Sequence, residues 1–276
     1  MPGASLDALR HRLRGLGRVV VAFSGGADSA FLAWVAHDTL GAEGALAVTA
    51  VSPSLAGDER RDCAELAAEW GLAWTEVETD EMAQAAYRVN DGDRCYWCKD
   101  ALLRAAGPVA AERGATVVLG VNVDDLGDHR PGQRAATERG AVFPLVDARF
   151  TKADVRAWSR RLGLRTWDKP AAACLASRLP YGTPVTLGRL ATVEGAEAAL
   201  RALGFRELRV RHYGDTARLE VALDRLADVV ALRVEVVAAV QAAGYRYVTL
   251  DLEGLRSGNL NAALGLTVRP GGVGGL

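Results

Sequence analysis

Apolar residues in this chain fall into two rhythms. Short continuous runs at 19–23, 45–51, 73–77 and 116–121 have the length and β-branched content of buried strands. Between them, the segments 29–36, 58–70, 98–113 and 153–162 carry apolar residues three and four apart, the spacing of a helix with one packed face. Alternation of the two predicts an α/β fold, a doubly wound parallel sheet with helices on both faces. Ligands of such sheets bind beyond the carboxyl ends of the strands. Two polar segments fall there: Ser24 to Ser29 after the first strand, and the Asn122 to Asp128 stretch after the fourth.

The order changes near Lys169. A helix at 187–203, strands at 206–212 and 217–221 joined by a turn at Tyr213-Gly214-Asp215, a helix at 226–242 and a strand at 245–250 predict a smaller C-terminal α+β domain. The predicted boundaries are 1–168, 169–256 and a glycine-rich flexible tail, 257–276.

Composition narrows the functional classes. The chain has 276 residues, half of them hydrophobic, with 33 basic against 34 acidic residues and a net charge of −1. From 171 to 250 there are ten basic and eight acidic residues, a balance that argues against a nucleic-acid partner. No apolar run reaches membrane-spanning length, and the most apolar helix, 229–243, is interrupted by Arg233 and Glu235. The N-terminal residues lack the charged and apolar regions of a signal peptide, so a cytoplasmic protein with no membrane partner is expected. Four cysteines are too few for a disulfide scaffold.

The chemistry starts at Ser24-Gly25-Gly26-Ala27-Asp28-Ser29. A helix N-terminus leaves N–H groups unpaired and carries partial positive charge, and two glycines let that backbone approach an anion. Ser24 and Ser29 add hydroxyl donors, and Asp28 suits a Mg²⁺ ion that bridges phosphates. A plain connecting turn is the alternative. The spacing is not that of Walker A, and no Gly-Lys-Ser/Thr follows. The segment resembles the PP-loop of ATP pyrophosphatases, which cleave ATP to AMP and pyrophosphate.

Arg94-Cys95-Tyr96-Trp97-Cys98-Lys99 is the second motif. A Cys-x-x-Cys pair serves as a redox disulfide, half of a zinc site or part of an iron–sulfur site. Cys63 lies inside a helix and reads as a packed core residue. Cys174 lies in a loop framed by Pro170, Pro180 and Gly182, and Arg178 follows it, a residue suited to an anionic substrate. The histidines, His11, His37, His129 and His212, show no metal-ligand spacing.

Four segments together resemble the LarE family of ATP-dependent sulfur transferases: the loop from Ser24 to Ser29, the run from Arg94 to Lys99, the run from Asn122 to Gly132, and the run from Ala173 to Gly182. The resemblance implies a PP-loop ATP pyrophosphatase domain followed by a substrate and sulfur-transfer domain. It implies that ATP adenylates the carboxylates of pyridinium-3,5-biscarboxylic acid mononucleotide, and that sulfur displaces AMP to give thiocarboxylates for the nickel-pincer nucleotide cofactor. AMP is a far better leaving group than oxide, which is why a nucleotide loop and a thiol belong together. The family supplies sulfur in two ways. In one, a single cysteine, matching Cys174, gives up its own sulfur and becomes dehydroalanine. In the other, three cysteines, matching Cys95, Cys98 and Cys174, hold a [4Fe–4S] cluster whose fourth iron carries sulfide from an outside source. The presence of all three thiols favours the cluster.

By the same resemblance, Arg178, Arg209 and Arg211 bind the substrate's nucleotide phosphate, and Glu197, Glu220 and Asp228 hold a divalent ion. Without the resemblance, Arg209 and Arg211 read as one solvated strand face. Asp124, Asp125 and Asp128 bind Mg²⁺, position substrate or cap the next helix. A homo-oligomer is the expected assembly. The competing functions are a PP-loop tRNA thiolase, which also uses three cysteines, an ammonia-using PP-loop ligase, and a non-catalytic nucleotide-binding protein.

Overall fold

The alternating apolar pattern folds as a four-stranded parallel sheet in order β3-β2-β1-β4, formed by β1 (Val19–Ala22), β2 (Ala45–Val51), β3 (Trp74–Glu78) and β4 (Thr116–Leu119). The computed structural model describes residues 3–127, 131–170 and 173–256. Asp128, His129 and the predicted tail 257–276 lie outside them. The connecting helices are α1 (Leu6–Leu16), α2 (Ala27–Gly44), α3 (Gly57–Glu69), the short α4 (Ala85–Val89), α5 (Arg94–Glu112), α6 (Pro131–Glu138), α7 (Pro144–Asp147) and α8 (Lys152–Arg161).

Both faces of the sheet are covered, as parallel strands require. Successive side chains of a strand point to opposite faces. Val19 and Val21 accordingly pack with Phe31 and Leu32 of α2, Leu9 and Leu13 of α1 and Val155 of α8. Val20, with Leu46 and Val48 of β2, packs on Ala106 and Ala110 of α5. Each fully buried Val, Leu or Phe contributes roughly 1.5–3 kcal/mol.

The contacts of the chain divide it into two units. One comprises residues 3–87 and 93–170, the other residues 88–92 and 173–256. The second unit contains α9 (Leu187–Ala202), β5 (Leu208–Tyr213), β6 (Thr216–Val221), α10 (Leu226–Ala231), α11 (Arg233–Ala242) and β7 (Tyr247–Leu250). β5 and β6 form an antiparallel hairpin through Gly214 and Asp215, and β7 pairs parallel to β6. Val210, Leu219 and Val221 face Ala196 and Leu200 of α9 and Val236 and Val240 of α11.

Several boundaries differ from expectation. The helix predicted over 29–36 runs from Ala27 to Gly44. The strand predicted over 116–121 ends at Leu119, and that predicted over 206–212 is Leu208–Tyr213. Three others bear on the element count or the motifs. The helix predicted over 98–113 begins at Arg94, because the Asp93 carbonyl accepts Tyr96 N–H at 2.8 Å and opens the first turn there. The helix predicted over 226–242 is two helices, interrupted at Leu232 with φ −95° and ψ 25°. The last strand begins at Tyr247 rather than 245. No helix of the described residues is long and apolar enough to cross a membrane.

Candidate functional site

The turn between β1 and α2 is organised by its own hydroxyls. Ser29 Oγ donates to the Gly26 carbonyl at 3.1 Å and accepts from Ser24 N–H at 3.2 Å. Its single hydrogen is thereby used, so the 3.1 Å bond between the two hydroxyls runs from Ser24 Oγ to Ser29 Oγ. Gly25 adopts φ +69°, and a Cβ there would stand 3.0 Å from Cys63 Sγ. Gly26 is the N-cap of α2, and no side chain caps the helix. The first-turn N–H groups are thus presented at the carboxyl end of β1, as an anion-binding helix start demands. Gly120, just beyond β4, lets that strand end approach: a Cβ there would lie 2.8 Å from Ser29 N and 2.9 Å from the Asp28 carbonyl carbon.

Asp28, in the first turn of α2, accepts from Asn122 Nδ2 at 3.1 Å. Asn122 also donates its backbone N–H to Asp125 Oδ2 at 3.2 Å, so one buried asparagine joins the two acidic segments. Burial raises the Asp28 pKa and the Asp125 charge raises it further, against the lowering effects of the Asn122 bond, Lys152 and Arg156. Two neighbouring carboxylates beside unclaimed N–H groups are a donor set that a small hard cation shares with phosphate oxygens. Asp124 acts differently. Its carboxylate accepts Lys152 N–H at 2.8 Å and caps α8, one of the alternatives left open by the sequence.

Residues the sequence did not single out complete this corner. Lys169 Nζ donates to the Gly25 carbonyl at 3.2 Å, to Glu59 at 2.8 Å and to Asp62 at 2.6 Å. Burial alone would lower its pKa, but the bonds to Asp62 and Glu59 outweigh that and raise it. Lys152 Nζ stands 3.0 Å from Asp125 Oδ1, and Arg156 donates to the Lys169 carbonyl at 3.5 Å. The chain has three lysines, Lys99, Lys152 and Lys169, against thirty arginines, and each lies beside a motif or a motif-bearing loop; that scarcity was the available signal.

None of the four cysteines is in a disulfide. Cys63 is fully buried, and burial pushes its thiol up to about 11, the property of an inert core thiol. Cys95 is exposed and Cys98 half-buried. Both lie in the first turns of α5 at i and i+3, on one helix face. Buried Arg94 places Nη2 4.0 Å from Cys95 Sγ. Trp97 packs edge-on against Tyr96.

In the second unit Cys174 is half-buried and precedes a 3₁₀ turn, Leu175–Arg178. Arg178 wraps this turn. Its Nη1 donates to the carbonyls of Ala173 (2.7 Å) and Cys174 (3.3 Å), while Nε and Nη2 grip Glu197 at 2.8 and 3.2 Å. Arg211 does the same nearby, holding Glu220 through Nε (3.0 Å) and Nη2 (2.9 Å) and the Ser177 carbonyl through Nη1 (2.8 Å). Asn90, with φ +59° and no exposure, donates Nδ2 to the Pro180 and Thr183 carbonyls at 2.9 and 2.8 Å.

The expected divalent-ion trio is not brought together. Glu197 and Glu220 are fully buried and engaged by arginines, Glu197 by Arg178 and Arg201, Glu220 by Arg211 and Arg218. Asp228 pairs with Arg225 at 2.6 Å on the surface. Among the described residues no three of His, Cys, Asp and Glu are grouped as metal ligands. Of the three arginines expected at a phosphate, Arg209 alone forms no carboxylate ion pair among the described residues; it donates to the Arg256 carbonyl at 2.8 Å. Burial lowers its pKa, and the adjacent Arg211 and Arg178 charges lower it further, against the raising effect of the Glu220 and Glu197 charges.

Comparison with known proteins agrees with this corner of the fold. A family model described as NAD synthase matches residues 5–97, the stretch from α1 through the nucleotide loop to the start of the cysteine pair. An uncharacterised protein of Synechocystis sp. is 45% identical over 265 residues, 95% of this chain and 98% of its own. A protein of Methanocaldococcus jannaschii, also uncharacterised, is 25% identical over 241 residues, 87% of this chain and 91% of its own. The pyridinium-3,5-bisthiocarboxylic acid mononucleotide synthase of Lactiplantibacillus plantarum is 40% identical over 253 residues, 91% of this chain and 92% of its own. With the loop at Ser24–Ser29 and the parallel sheet beneath it, that identity over nearly the whole length shows that the chain belongs to the LarE family of PP-loop ATP-dependent sulfurtransferases.

Proposed function

We propose that this enzyme adenylates the carboxylates of pyridinium-3,5-biscarboxylic acid mononucleotide with ATP and converts them to thiocarboxylates for nickel-pincer nucleotide synthesis. What carries the reading is the 40% identity, over 91% of the chain, to the synthase named for that product. The first unit holds ATP. Gly25, Gly26 and the first-turn N–H groups of α2 cradle pyrophosphate, with hydroxyl donors from Ser24 and Ser29. Asp28, aided by Asp125, would hold Mg²⁺, whose charge would offset that of the phosphates. The substrate carboxylate attacks the α-phosphorus, the P–O bond to pyrophosphate breaks, and an acyl adenylate results. The second unit binds the substrate, with Arg209 as the phosphate ligand best supported by its unpaired charge. Sulfur then bonds to the acyl carbon and AMP leaves. The working enzyme is a homo-oligomer.

For the sulfur source we favour a [4Fe–4S] cluster on Cys95, Cys98 and Cys174, which would present sulfide at an iron with no protein ligand. The donor set supports this: two thiols share one helix face, and the third sits at a loop held by Arg178. Three thiolates leave one iron open, unlike the usual four-cysteine ligation. The second reading is sacrifice of the Cys174 sulfur. Anaerobic purification with iron and sulfide analysis decides: bound iron and acid-labile sulfide are expected. An iron-free protein whose Cys174 loses one sulfur per turnover establishes the second reading instead.

Two further outcomes follow from the loop geometry. Gly25→Ala forces a Cβ into a left-handed position, costing about 1 kcal/mol, and presses it on Cys63 Sγ. ATP affinity measured by calorimetry should fall while the fold survives. Asp28→Asn should separate stability from function. The Asp28 pKa is raised in the folded state, so the native protein binds that proton more tightly than the unfolded chain does. Its contribution is fully present below the unfolded value of 3.8 and is lost as pH rises through the higher folded value. At neutral pH the ligand-free Asn variant should therefore melt higher than wild type while losing magnesium-dependent ATP cleavage. An unchanged or lower melting temperature contradicts the assignment of strain to Asp28.

A further inference from the structure

The turn carrying Cys174 has an anchor at each end. At the near end Arg178 grips the Ala173 and Cys174 carbonyls and is itself held by Glu197. Inside the turn, Ser177 N–H donates to the Cys174 carbonyl at 2.9 Å and Leu179 N–H to the Ala176 carbonyl at 3.2 Å. The far end has no such local partner for its carbonyls beyond the Thr183 N–H, which donates to Pro180 at 3.0 Å. Its second anchor comes from residues 88–92, which precede α5 in the chain but belong by their contacts to the second unit.

Asn90 is the centre of that segment. It is fully buried, and its Nδ2 donates to the Thr183 carbonyl at 2.8 Å and the Pro180 carbonyl at 2.9 Å, with the Leu179 carbonyl at 3.4 Å. The backbone bonds run the other way: Gly182 N–H donates to the Asn90 carbonyl at 2.9 Å, and Val185 N–H to the Arg88 carbonyl at 2.8 Å. The residue needed here must both adopt φ +59° and carry a two-hydrogen donor. Asparagine tolerates the left-handed region and has an amide, whereas glycine meets only the first demand and glutamine only the second. A chain of bonds therefore runs from the Asn90 amide through Pro180 and Leu179 to the carbonyl of Cys174.

We propose that Asn90 is a positioning residue for sulfur delivery: its amide fixes the far end of the Cys174 turn, so that the thiol keeps one place during transfer to the acyl adenylate. Arg178 and Asn90 then share the task, one at each end of the turn. The inference rests on Cys174 taking part in sulfur delivery, and it holds for either sulfur source.

The test uses the full chain, with any bound iron removed by a chelator so that thiol reactivity reports the turn alone. Iodoacetamide is added under native conditions, and modification of each cysteine is followed by mass spectrometry of its peptide. Asn90→Gly keeps the left-handed backbone and deletes the amide. Cys174 should then react about tenfold faster or more, the effect of losing two hydrogen bonds from a buried donor. Buried Cys63 should stay protected, the sign that the first unit remains folded. Asn90→Asp keeps the shape but turns a carboxylate on the same carbonyls, and should speed Cys174 as much. In the complete reaction both variants should lose kcat for thiocarboxylate formation by a similar factor, with ATP–pyrophosphate exchange at the wild-type rate. Val240→Ala weakens the second unit in its core, among Val236 and Leu200 rather than at the turn. It should lower the unfolding midpoint and leave both Cys174 reactivity and kcat as in wild type. Wild-type Cys174 reactivity in the two Asn90 variants, or equal acceleration in Val240→Ala, overturns the proposal. Faster alkylation with undiminished kcat overturns it as well. Failure of the sulfur-delivery reading is a separate result, since Cys174→Ala would then still form product.

Discussion

Cys174→Ala is expected to abolish thiocarboxylate formation while leaving ATP–pyrophosphate exchange intact. The bonds that hold this residue in its turn run through its carbonyl, which accepts Ser177 N–H at 2.9 Å and Arg178 Nη1 at 3.3 Å. Alanine keeps both. In the proposed reaction adenylation uses the first unit and needs no thiol. A variant that retains exchange and makes no product therefore places the loss at sulfur delivery. Loss of both steps would mean that Cys174 supports the nucleotide site as well, and the division of labour between the two units would be wrong.

The second large effect concerns stability. Glu197→Ala should destabilise the protein by roughly 3–5 kcal/mol, the cost of removing one partner from a buried ion pair. Glu197 is fully buried and accepts four hydrogen bonds: two from Arg178, one from Arg201 at 2.9 Å and one from Val210 N–H at 3.1 Å. Alanine leaves these donors without that acceptor and strands the Arg178 charge. Since domains are stable by only about 5–15 kcal/mol, urea unfolding should show a large drop in midpoint. Glu197→Gln retains an acceptor oxygen and should lose less. Because Arg178 also grips the Ala173 and Cys174 carbonyls, the Gln variant should impair product formation more than ATP–pyrophosphate exchange. A midpoint within experimental error of wild type for Glu197→Ala would show that the pair contributes nothing net.

The nucleotide loop is legible in the sequence because its signal is local: strand, two glycines, helix, with every participant within six residues. The same holds for the parallel sheet, whose strands are continuous apolar runs because both faces are covered. What stays hidden depends on pairing across long stretches of chain. Arg209 and Arg211 alternate on a strand and read alike, yet Arg211 is locked to Glu220 across the hairpin while Arg209 is not. Sequence spacing does not reveal which of two cations has a buried counter-ion. Glu197 and Glu220 resemble ion ligands for the same reason; their arginine partners consume their lone pairs. Lys169 marks only a change of pattern in the sequence, and its bond to Gly25 spans 144 positions. The start of α5 is obscure because Asp93 has ordinary turn character and no side-chain cap marks the helix.

The central claim is that ATP cleavage at the α-phosphate drives replacement of carboxylate oxygen by sulfur. The direct measurement is an anaerobic reaction of the purified protein with magnesium ATP, sulfide and pyridinium-3,5-biscarboxylic acid mononucleotide, followed by mass spectrometry and nucleotide analysis. The expected result is the oxygen-for-sulfur mass increase in the mononucleotide, with AMP and pyrophosphate formed in equal amount to the new thiocarboxylate groups. Formation of ADP, or of AMP without any sulfur in the mononucleotide, would contradict it.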